Sequence, residues 1–215
     1  MIAARQFAAR LLRRFWAPTE TLDGYEQPEL VEVIFQKTIA YKPQNDWPEM
    51  AGVSSVLDFG GGCGLHYKQA RSPTVRWAVV ETPAMVARAS GLQTDKLRFF
   101  TSIAEAANWL GPFDVMHSNG ALHYSKDPEQ TLSQLCSLRA RTMLWQRVYL
   151  SQGDTERAIQ VSNLVDNGPG KAARSVKNKA VKYEYTKIPE PVFLAAHDDY
   201  TLADRGADWV RFTLK

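Results

Sequence analysis

A glycine-rich turn behind an apolar run constrains the fold of this chain more than any other feature of its sequence. Residues 54–59 (SSVLDF) form a short apolar run, and four glycines follow between positions 60 and 64. Glycine lets the backbone turn sharply and lets other groups approach it closely. This combination predicts a buried strand, a tight turn, and a helix that begins on the far side of the turn.

Strand and helix patterns alternate on both sides of this turn. Strands are predicted at residues 54–59, 75–81, 97–100, 114–118 and 142–150, and helices at 65–71, 83–90, 103–110 and 128–138. Such alternation predicts an α/β, Rossmann-like, doubly wound and mostly parallel sheet, which binds ligands beyond the carboxyl ends of its strands. Residues 200–202 and 209–214 predict a C-terminal antiparallel strand pair, and residues 190–197 a helix before it.

The N-terminal part of the chain predicts a helical extension. Residues 1–45 are interpreted as a helical cap, and residues 46–215 as the main domain. The first 18 residues carry four arginines and predict a basic amphipathic helix, which either packs on the domain, contacts a membrane surface, or is a cleaved presequence. A linker is predicted at 18–24, a second helix at 29–41, and a basic exposed loop at 168–182, which is either solvated or contacts an anionic acceptor.

Composition narrows the class of protein. The chain has 215 residues, of which 45% are hydrophobic and 23% charged, as in ordinary globular domains. A net charge of +3 gives no strong reason to predict a nucleic-acid partner. Its two cysteines form no CxxC pair, so we predict free thiols in the cytoplasm, with peripheral membrane contact only through the N-terminal helix.

The spacing of the glycines distinguishes two ligand classes. A dinucleotide turn needs GxGxxG, but the sixth position is Leu65 when counted from Gly60 and Tyr67 when counted from Gly62. This argues against a nicotinamide oxidoreductase. Sites for S-adenosylmethionine (SAM) instead show DxGxGxG, and a carboxylate near the ammonium and sulfonium of SAM is electrostatically favourable. The complete pattern is Asp58, Gly60, Gly62 and Gly64; the alternative is a structural turn without a ligand.

Glu81 is the second candidate cofactor residue. It follows the second predicted strand, and an acid roughly 20 residues past the turn is typical of nucleoside-binding folds. A carboxylate there can accept two hydrogen bonds from the ribose hydroxyls. A glutamate after a strand is otherwise usually solvated, so the prediction of a ribose contact depends on the neighbouring turn.

Four segments carry a resemblance to a known family: VLDFGGGCGLHY, RWAVVETPAMV, FFTSIAEA and DVMHSNGALHYSKDP. In this order they resemble an uncharacterised bacterial family assigned to the class I SAM-dependent methyltransferases, often encoded among cell-surface polysaccharide genes. The resemblance covers about residues 24–150. It implies SAM as cofactor, with Asp58, Gly60 and Gly62 around its methionine part and Glu81 on its ribose. We include Gly61 and Gly64 in the predicted cofactor site, and the resemblance implies no particular acceptor.

The residues that follow the third predicted strand differ from those of many SAM enzymes. Many SAM enzymes carry an Asp there, which binds the adenine amino group, whereas this chain has Thr101 and Ser102. A hydroxyl or a backbone carbonyl can accept the same hydrogen bond more weakly. We therefore predict Thr101 and Ser102 at the adenine.

The loop after the fourth strand is predicted to face both cofactor and acceptor. Ser118 and Gly120 are predicted to approach the cofactor, and His123 and Tyr124 the acceptor. His123 is the candidate general base for an acceptor hydroxyl, because its ordinary pKa is ~6.5. The alternative is a hydrogen-bonded wall, and for Tyr124 a wall is favoured over an acid.

No metal site is predicted. Residues 145–147, after the fifth strand, supply no acid, and the run from His197 to Asp199 is interpreted as a solvated turn. The sequence thus predicts methyl transfer from SAM to an oxygen or nitrogen of a small-molecule or saccharide acceptor. The alternative is a non-catalytic SAM-binding regulatory or partner subunit.

Overall fold

The computed structural model describes residues 21–45, 47–72 and 74–215, and every structural statement refers to these. The predicted basic helix of residues 1–18, and with it the predicted membrane contact, lies outside the described residues. Within them, no helix combines the length and the apolar character needed to cross a membrane.

Ten strands and six helices are described. The strands are β1 (Thr21–Asp23), β2 (Ser55–Phe59), β3 (Arg76–Val80), β4 (Leu97–Phe100), β5 (Val115–Asn119), β6 (Thr142–Gln146), β7 (Glu156–Asn163), β8 (Ala180–Lys187), β9 (Tyr200–Arg205) and β10 (Trp209–Leu214). The helices are α1 (Pro28–Ala40), α2 (Leu65–Ala70), α3 (Pro83–Ala89), α4 (Ile103–Leu110), α5 (Pro128–Ser137) and α6 (Glu190–Ala195). Proline begins α1, α3 and α5, where its missing N–H costs no helical hydrogen bond.

Seven of the strands form one sheet in the order β4-β3-β2-β5-β6-β10-β9. β2 to β6 pair in parallel, whereas β10 runs antiparallel to both β6 and β9. The predicted doubly wound sheet with a C-terminal antiparallel pair is therefore confirmed. The strand order reverses between β2 and β5, and ligands of such sheets bind at this switch point.

Both faces of the sheet are buried, because successive residues of a strand point to opposite faces. Val56 and Trp77 belong to one apolar cluster, whereas Leu57 and Ala78 belong to the other, and all four are fully buried. Helix α1 packs into the first cluster through Leu30. Each large apolar side chain buried in this way contributes roughly 1.5–3 kcal/mol to stability.

A second, three-stranded sheet has the order β1-β8-β7. It corrects two predictions: the predicted linker at 18–24 contains β1, and the predicted loop at 168–182 runs into β8. β7 was not predicted. Val181 and Tyr183 of β8 are buried while Lys182 and Glu184 between them are exposed, which is the alternation of a strand with one covered face.

Candidate cofactor site

A cavity of about 1230 Å³ opens at the carboxyl ends of the central parallel strands. The segments that follow β2, β3, β4 and β5 all contribute to its wall, together with α1 and the inner face of the small sheet. From the predicted site it includes Gly60, Gly61, Gly62, Glu81, Thr101, Ser102, Gly120, His123 and Tyr124. The sheet thus brings together most of the residues that the sequence singles out, at the switch point of the strand order.

The glycine turn forms the floor of this cavity. Gly60 and Gly62 have φ angles of 75° and 59°, which side-chain-bearing residues rarely adopt. A Cβ on Gly60 would overlap Ala121, and a Cβ on Gly61 would overlap the carboxylate of Asp58. Contacts with Ala121 and Asp58 therefore require glycine at these two positions, and the turn presents no side chain between its backbone and a ligand in the cavity.

Glu81 lines the cavity beside this turn. Its Oε1 accepts the Gly62 backbone N–H at 3.0 Å, and its Oε2 accepts the Thr82 backbone N–H at 2.9 Å. These bonds fix the carboxylate against the turn and leave lone pairs for a ligand. Burial raises the pKa of Glu81, and the two backbone N–H groups offset this only in part.

Asp58 lies beneath the turn, fully buried, and does not line the cavity. Its carboxylate accepts hydrogen bonds from His66 Nδ1 at 2.9 Å, His117 Nδ1 at 2.8 Å and Trp77 Nε1 at 3.1 Å. Burial alone would raise the pKa of Asp58, but His66 and His117 more than compensate and hold it below its ordinary value. Asp58 is therefore an anion in the core, and its predicted contact with a cofactor stays a prediction.

The donor atoms of Asp58, His66 and His117 lie within 4.8 Å of one another, a spacing that a metal ion could use. The same atoms already hydrogen-bond to each other. The absence of a metal stays a prediction that the metal content of the pure protein would test.

The adenine side of the predicted site lies between β3 and β4. Thr101 and Ser102 both line the cavity, and the Ser102 hydroxyl also caps α4 by accepting the Glu105 backbone N–H. Thr82 lines the same region, and its buried hydroxyl has no hydrogen-bond partner within the described part of the chain. An unpaired buried hydroxyl is the kind of group that a polar ligand satisfies.

Two further predicted residues lie outside the cavity wall. Gly64 has a φ of 84° at the start of α2, and a Cβ there would press on Leu97 and Phe99. Ser118 is 1% exposed, and its hydroxyl lacks a hydrogen-bond partner among the described residues. The close packing around Gly64 lets α2 pack on the sheet, while the contact predicted for Ser118 stays a prediction.

His123 is buried and held by backbone groups. Its Nδ1 lies 3.1 Å from the Thr186 carbonyl oxygen, and the Tyr149 backbone N–H donates to its Nε2 at 2.9 Å. Burial lowers the pKa of His123, and the carbonyls of Thr186 and Arg147 oppose this only in part. The ring therefore offers no unused lone pair in this conformation, which favours the alternative of a hydrogen-bonded wall over the predicted general base.

Tyr25, Tyr124 and Tyr183 form an aromatic wall of the cavity. The rings of Tyr25 and Tyr183 stack with centroids 4.4 Å apart, and Tyr124 contacts Tyr25 edge-on at 5.2 Å. The Tyr124 hydroxyl donates to Gln160 Oε1 at 2.7 Å. Burial raises the pKa of Tyr124, so this phenol stays protonated near neutral pH, as a wall residue requires.

Several cavity residues were missed by the sequence analysis. Tyr183 and Tyr185 alternate along β8, a signal that could have identified the strand. Arg147 follows β6 directly with a φ of 47°, and its Nε donates to Asn119 Oδ1 at 2.5 Å. Thr38 of α1 also lines the cavity, and no local pattern distinguishes it from other helical threonines.

Comparison with solved structures identifies the fold. The N-terminal domain of EvdMO1, solved with SAH bound, aligns over 89% of this chain and 82% of its own, with 14% identity and a TM-score of 0.51. DesVI of Streptomyces venezuelae aligns over 87% and 93%, with 11% identity and a TM-score of 0.53. The sugar N-methyltransferase KedS8 from Streptoalloteichus sp. aligns over 89% and 88%, with 16% identity and a TM-score of 0.50.

Sequence comparisons give no closer relationship. No protein-family profile matches the chain, and no curated protein sequence matches it. At 11–16% identity the structural matches establish architecture alone. The chain therefore has the mixed α/β fold of the class I methyltransferases, with a seven-stranded central sheet that ends in an antiparallel pair.

Proposed function

We propose that this protein is a SAM-dependent methyltransferase that acts on a nitrogen or oxygen of a small-molecule or saccharide acceptor. The observation that carries the proposal is the bare glycine turn with the Glu81 carboxylate fixed against it, at the switch point of the sheet. The structural neighbours support it, because EvdMO1 was solved with SAH and KedS8 is a sugar N-methyltransferase.

The residues present fit SAM. Gly60 to Gly62 leave room for a ligand against the backbone, and Glu81 offers acceptors to the ribose hydroxyls. The unpaired hydroxyls of Thr38, on α1, and Thr82, after β3, both belong to residues that line the cavity, and they match a ligand with several polar groups. When bound, SAM supplies a methyl carbon open to attack by a nucleophile.

The chain itself contributes mainly positioning. The aromatic wall of Tyr25, Tyr124 and Tyr183 holds a flat or ring-shaped acceptor in the cavity and keeps water away from it. Gln160 and Arg147 place polar groups beside these rings. The Nε2 lone pair of His123 already accepts the Tyr149 backbone N–H, so it is not available to take a proton from the acceptor. A neutral amine needs no base before it attacks, and it is therefore favoured over an alcohol as the acceptor.

Calorimetry tests the cofactor part of the proposal. We expect the wild type to bind SAM and S-adenosylhomocysteine (SAH) but not NADH. Gly62→Arg should weaken both by roughly tenfold or more, about 1.4 kcal/mol, because its side chain enters the cavity. Gly153→Arg is the matched control, since a Cβ there meets nothing within 4 Å. Glu81→Gln is a second variant that keeps all the glycines but can accept only one of the two backbone N–H groups. Equal binding by all four proteins would contradict the proposal.

Release of SAH tests turnover. The protein is incubated with SAM and a panel of amino sugars, neutral sugars and small aromatic amines, and SAH is quantified. We expect release above the acceptor-free rate with at least one amine. Tight binding of SAM without release by any acceptor would favour the non-catalytic alternative.

A further inference from the structure

The acid of the glycine-turn pattern is separated from the cavity. Asp58 is fully buried and accepts three hydrogen bonds from ring N–H groups. Two of the donors, His117 and Trp77, are themselves fully buried in the sheet. The third donor, His66, belongs to α2 and lines the cavity. Among these donors, His66 is therefore the one that connects the Asp58 carboxylate to the cavity wall by a hydrogen bond.

One nitrogen of the His66 ring is hydrogen-bonded to Asp58, and the other is available to a ligand. Nδ1 bonds to the Asp58 carboxylate, which can only accept, so Nδ1 carries a hydrogen. When Nδ1 carries the one ring hydrogen, Nε2 is an acceptor, and it has no hydrogen-bond partner in the described part of the chain. A buried carboxylate behind an acceptor nitrogen favours a cation in front of that nitrogen.

Thr38 offers a second polar atom to the same cavity. It is 3% exposed, and its Oγ1 lacks a hydrogen-bond partner among the described residues. Lys68 lies two residues after His66 on α2. Its ammonium donates to the Thr38 carbonyl at 2.9 Å and so holds this turn of α1 against α2. Ile34 of α1 in turn faces Gly62. The Thr38 hydroxyl thus belongs to a helix that packs beside the glycine turn and lines the cavity.

We propose that His66 and Thr38 bind the α-amino-acid end of SAM, and that Asp58 is a positioning residue that acts through His66. This inference rests on the proposed function and names the residues that recognise one part of the cofactor. His66 Nε2 accepts a hydrogen bond from the ammonium, and the Thr38 hydroxyl donates to the carboxylate. Glu81 and the segments after β3 and β4 hold the nucleoside part independently of both.

The test compares two ligands that differ at this end. SAH carries the α-amino acid, whereas 5′-methylthioadenosine keeps the nucleoside and the thioether sulfur but lacks it. We expect His66→Phe and Thr38→Val each to weaken SAH roughly tenfold, as the loss of a charge-assisted hydrogen bond does, while 5′-methylthioadenosine binds within about twofold of wild type. Thr201→Val, an exposed threonine of β9, is the control and should change neither affinity.

Asp58→Asn tests the positioning role. It should reproduce the selective loss of SAH affinity, and its combination with His66→Phe should weaken SAH no more than His66→Phe alone, because both changes remove one interaction. Thr38→Val removes a hydroxyl without a partner and should fold normally. The test therefore does not depend on the variants of Asp58 and His66 alone.

The possible results distinguish failure of this inference from failure of the proposed function. Equal weakening of SAH and 5′-methylthioadenosine in the variants would overturn the inference, because His66 would then only support the turn. Unchanged affinity for both ligands would overturn it as well. If the wild type bound neither ligand, the proposed function itself would fail, and the inference would fail with it.

Discussion

Glu81 shows how single hydrogen bonds set the chemistry of the cavity. Both of its oxygens accept backbone N–H groups, one from the glycine turn and one from Thr82. The carboxylate therefore joins the ends of β2 and β3 and is held in one orientation. Burial still raises its pKa above the ordinary value of 4.5, so its charge is lost at a higher pH than that of an exposed glutamate.

Ligand affinity should therefore depend on pH through Glu81. Protonation removes an acceptor for the ribose hydroxyls, so affinity should fall as the pH is lowered toward the raised pKa of this group. The measurement is the dissociation constant of 5′-methylthioadenosine from pH 7.5 down to 5. Glu81→Gln should bind more weakly at every pH and with a flatter profile; an unchanged profile in this variant would assign the dependence to another group.

Helix α1 is the element that closes the cavity beside the glycine turn. Two of its last carbonyls accept hydrogen bonds from Lys68 Nζ: Thr38 at 2.9 Å and Ile39 at 2.5 Å. The Thr38 carbonyl also accepts the backbone N–H of Tyr41, the residue that caps the helix. A cation at a helix C-terminus also interacts favourably with the helix dipole. One lysine of α2 thus anchors the end of α1 that carries Thr38.

Removing this anchor should loosen α1 locally. Lys68→Met keeps most of the aliphatic side chain but leaves the Ile39 carbonyl to water and the Thr38 carbonyl with the Tyr41 N–H, which should lower the free energy of local opening by about 1 kcal/mol. Hydrogen exchange of the amides of residues 36–41 measures this. Lys42→Met, an exposed lysine just past the helix, is the control and should leave exchange unchanged.

A buried histidine that does not line the cavity should affect the stability of the whole molecule. His197, interpreted from sequence as part of a solvated turn, is 2% exposed. Trp145 Nε1 donates to its Nε2 at 2.9 Å, and its Nδ1 donates to the Phe193 carbonyl at 2.7 Å. The sequence interpretation was wrong at this residue, because the ring stacks on Phe212 between α6 and the sheet. Burial lowers the pKa of His197 to about 4.

Global stability should therefore fall in mild acid. The unfolded chain takes up a proton on this histidine as the pH drops through about 6.5, whereas the folded protein resists until about 4. Between these values the free energy of unfolding should decrease by roughly 3 kcal/mol from this group. Urea unfolding at pH 7, 5.5 and 4.5 measures it. His197→Gln should be less stable at pH 7 but lose less on acidification; a loss as large as that of the wild type would refute the assignment.

At this scale the beginning of the described chain meets a segment far along it in the small sheet. β1, near the beginning, pairs in parallel with β8, and β8 pairs with β7 in antiparallel. The tyrosines that face the cavity come from the segment after β1, from the loops after β5 and β6, and from β8. The predicted division of the chain at residue 45 stays a prediction.

The sequence by itself determined the central sheet, the glycine turn and the position of Glu81. These depend on local properties: apolar runs of strand length, glycine where φ is positive, and proline at helix starts. The helix predicted at 103–110 and the strand predicted at 97–100 have the same bounds in the structure. Strand and turn signals of this kind act within a few residues, so one chain is enough to interpret them.

Only the tertiary structure decided that Asp58 is a core anion rather than a wall residue, that His123 is held by backbone groups, and that His66 and Thr38 border the cavity. Each of these facts depends on contacts between residues far apart in the chain, such as Asp58 with His117 and His123 with Thr186. Which surfaces become buried together is set by packing of whole elements. A residue type alone therefore does not reveal whether a side chain meets solvent, a ligand or the core.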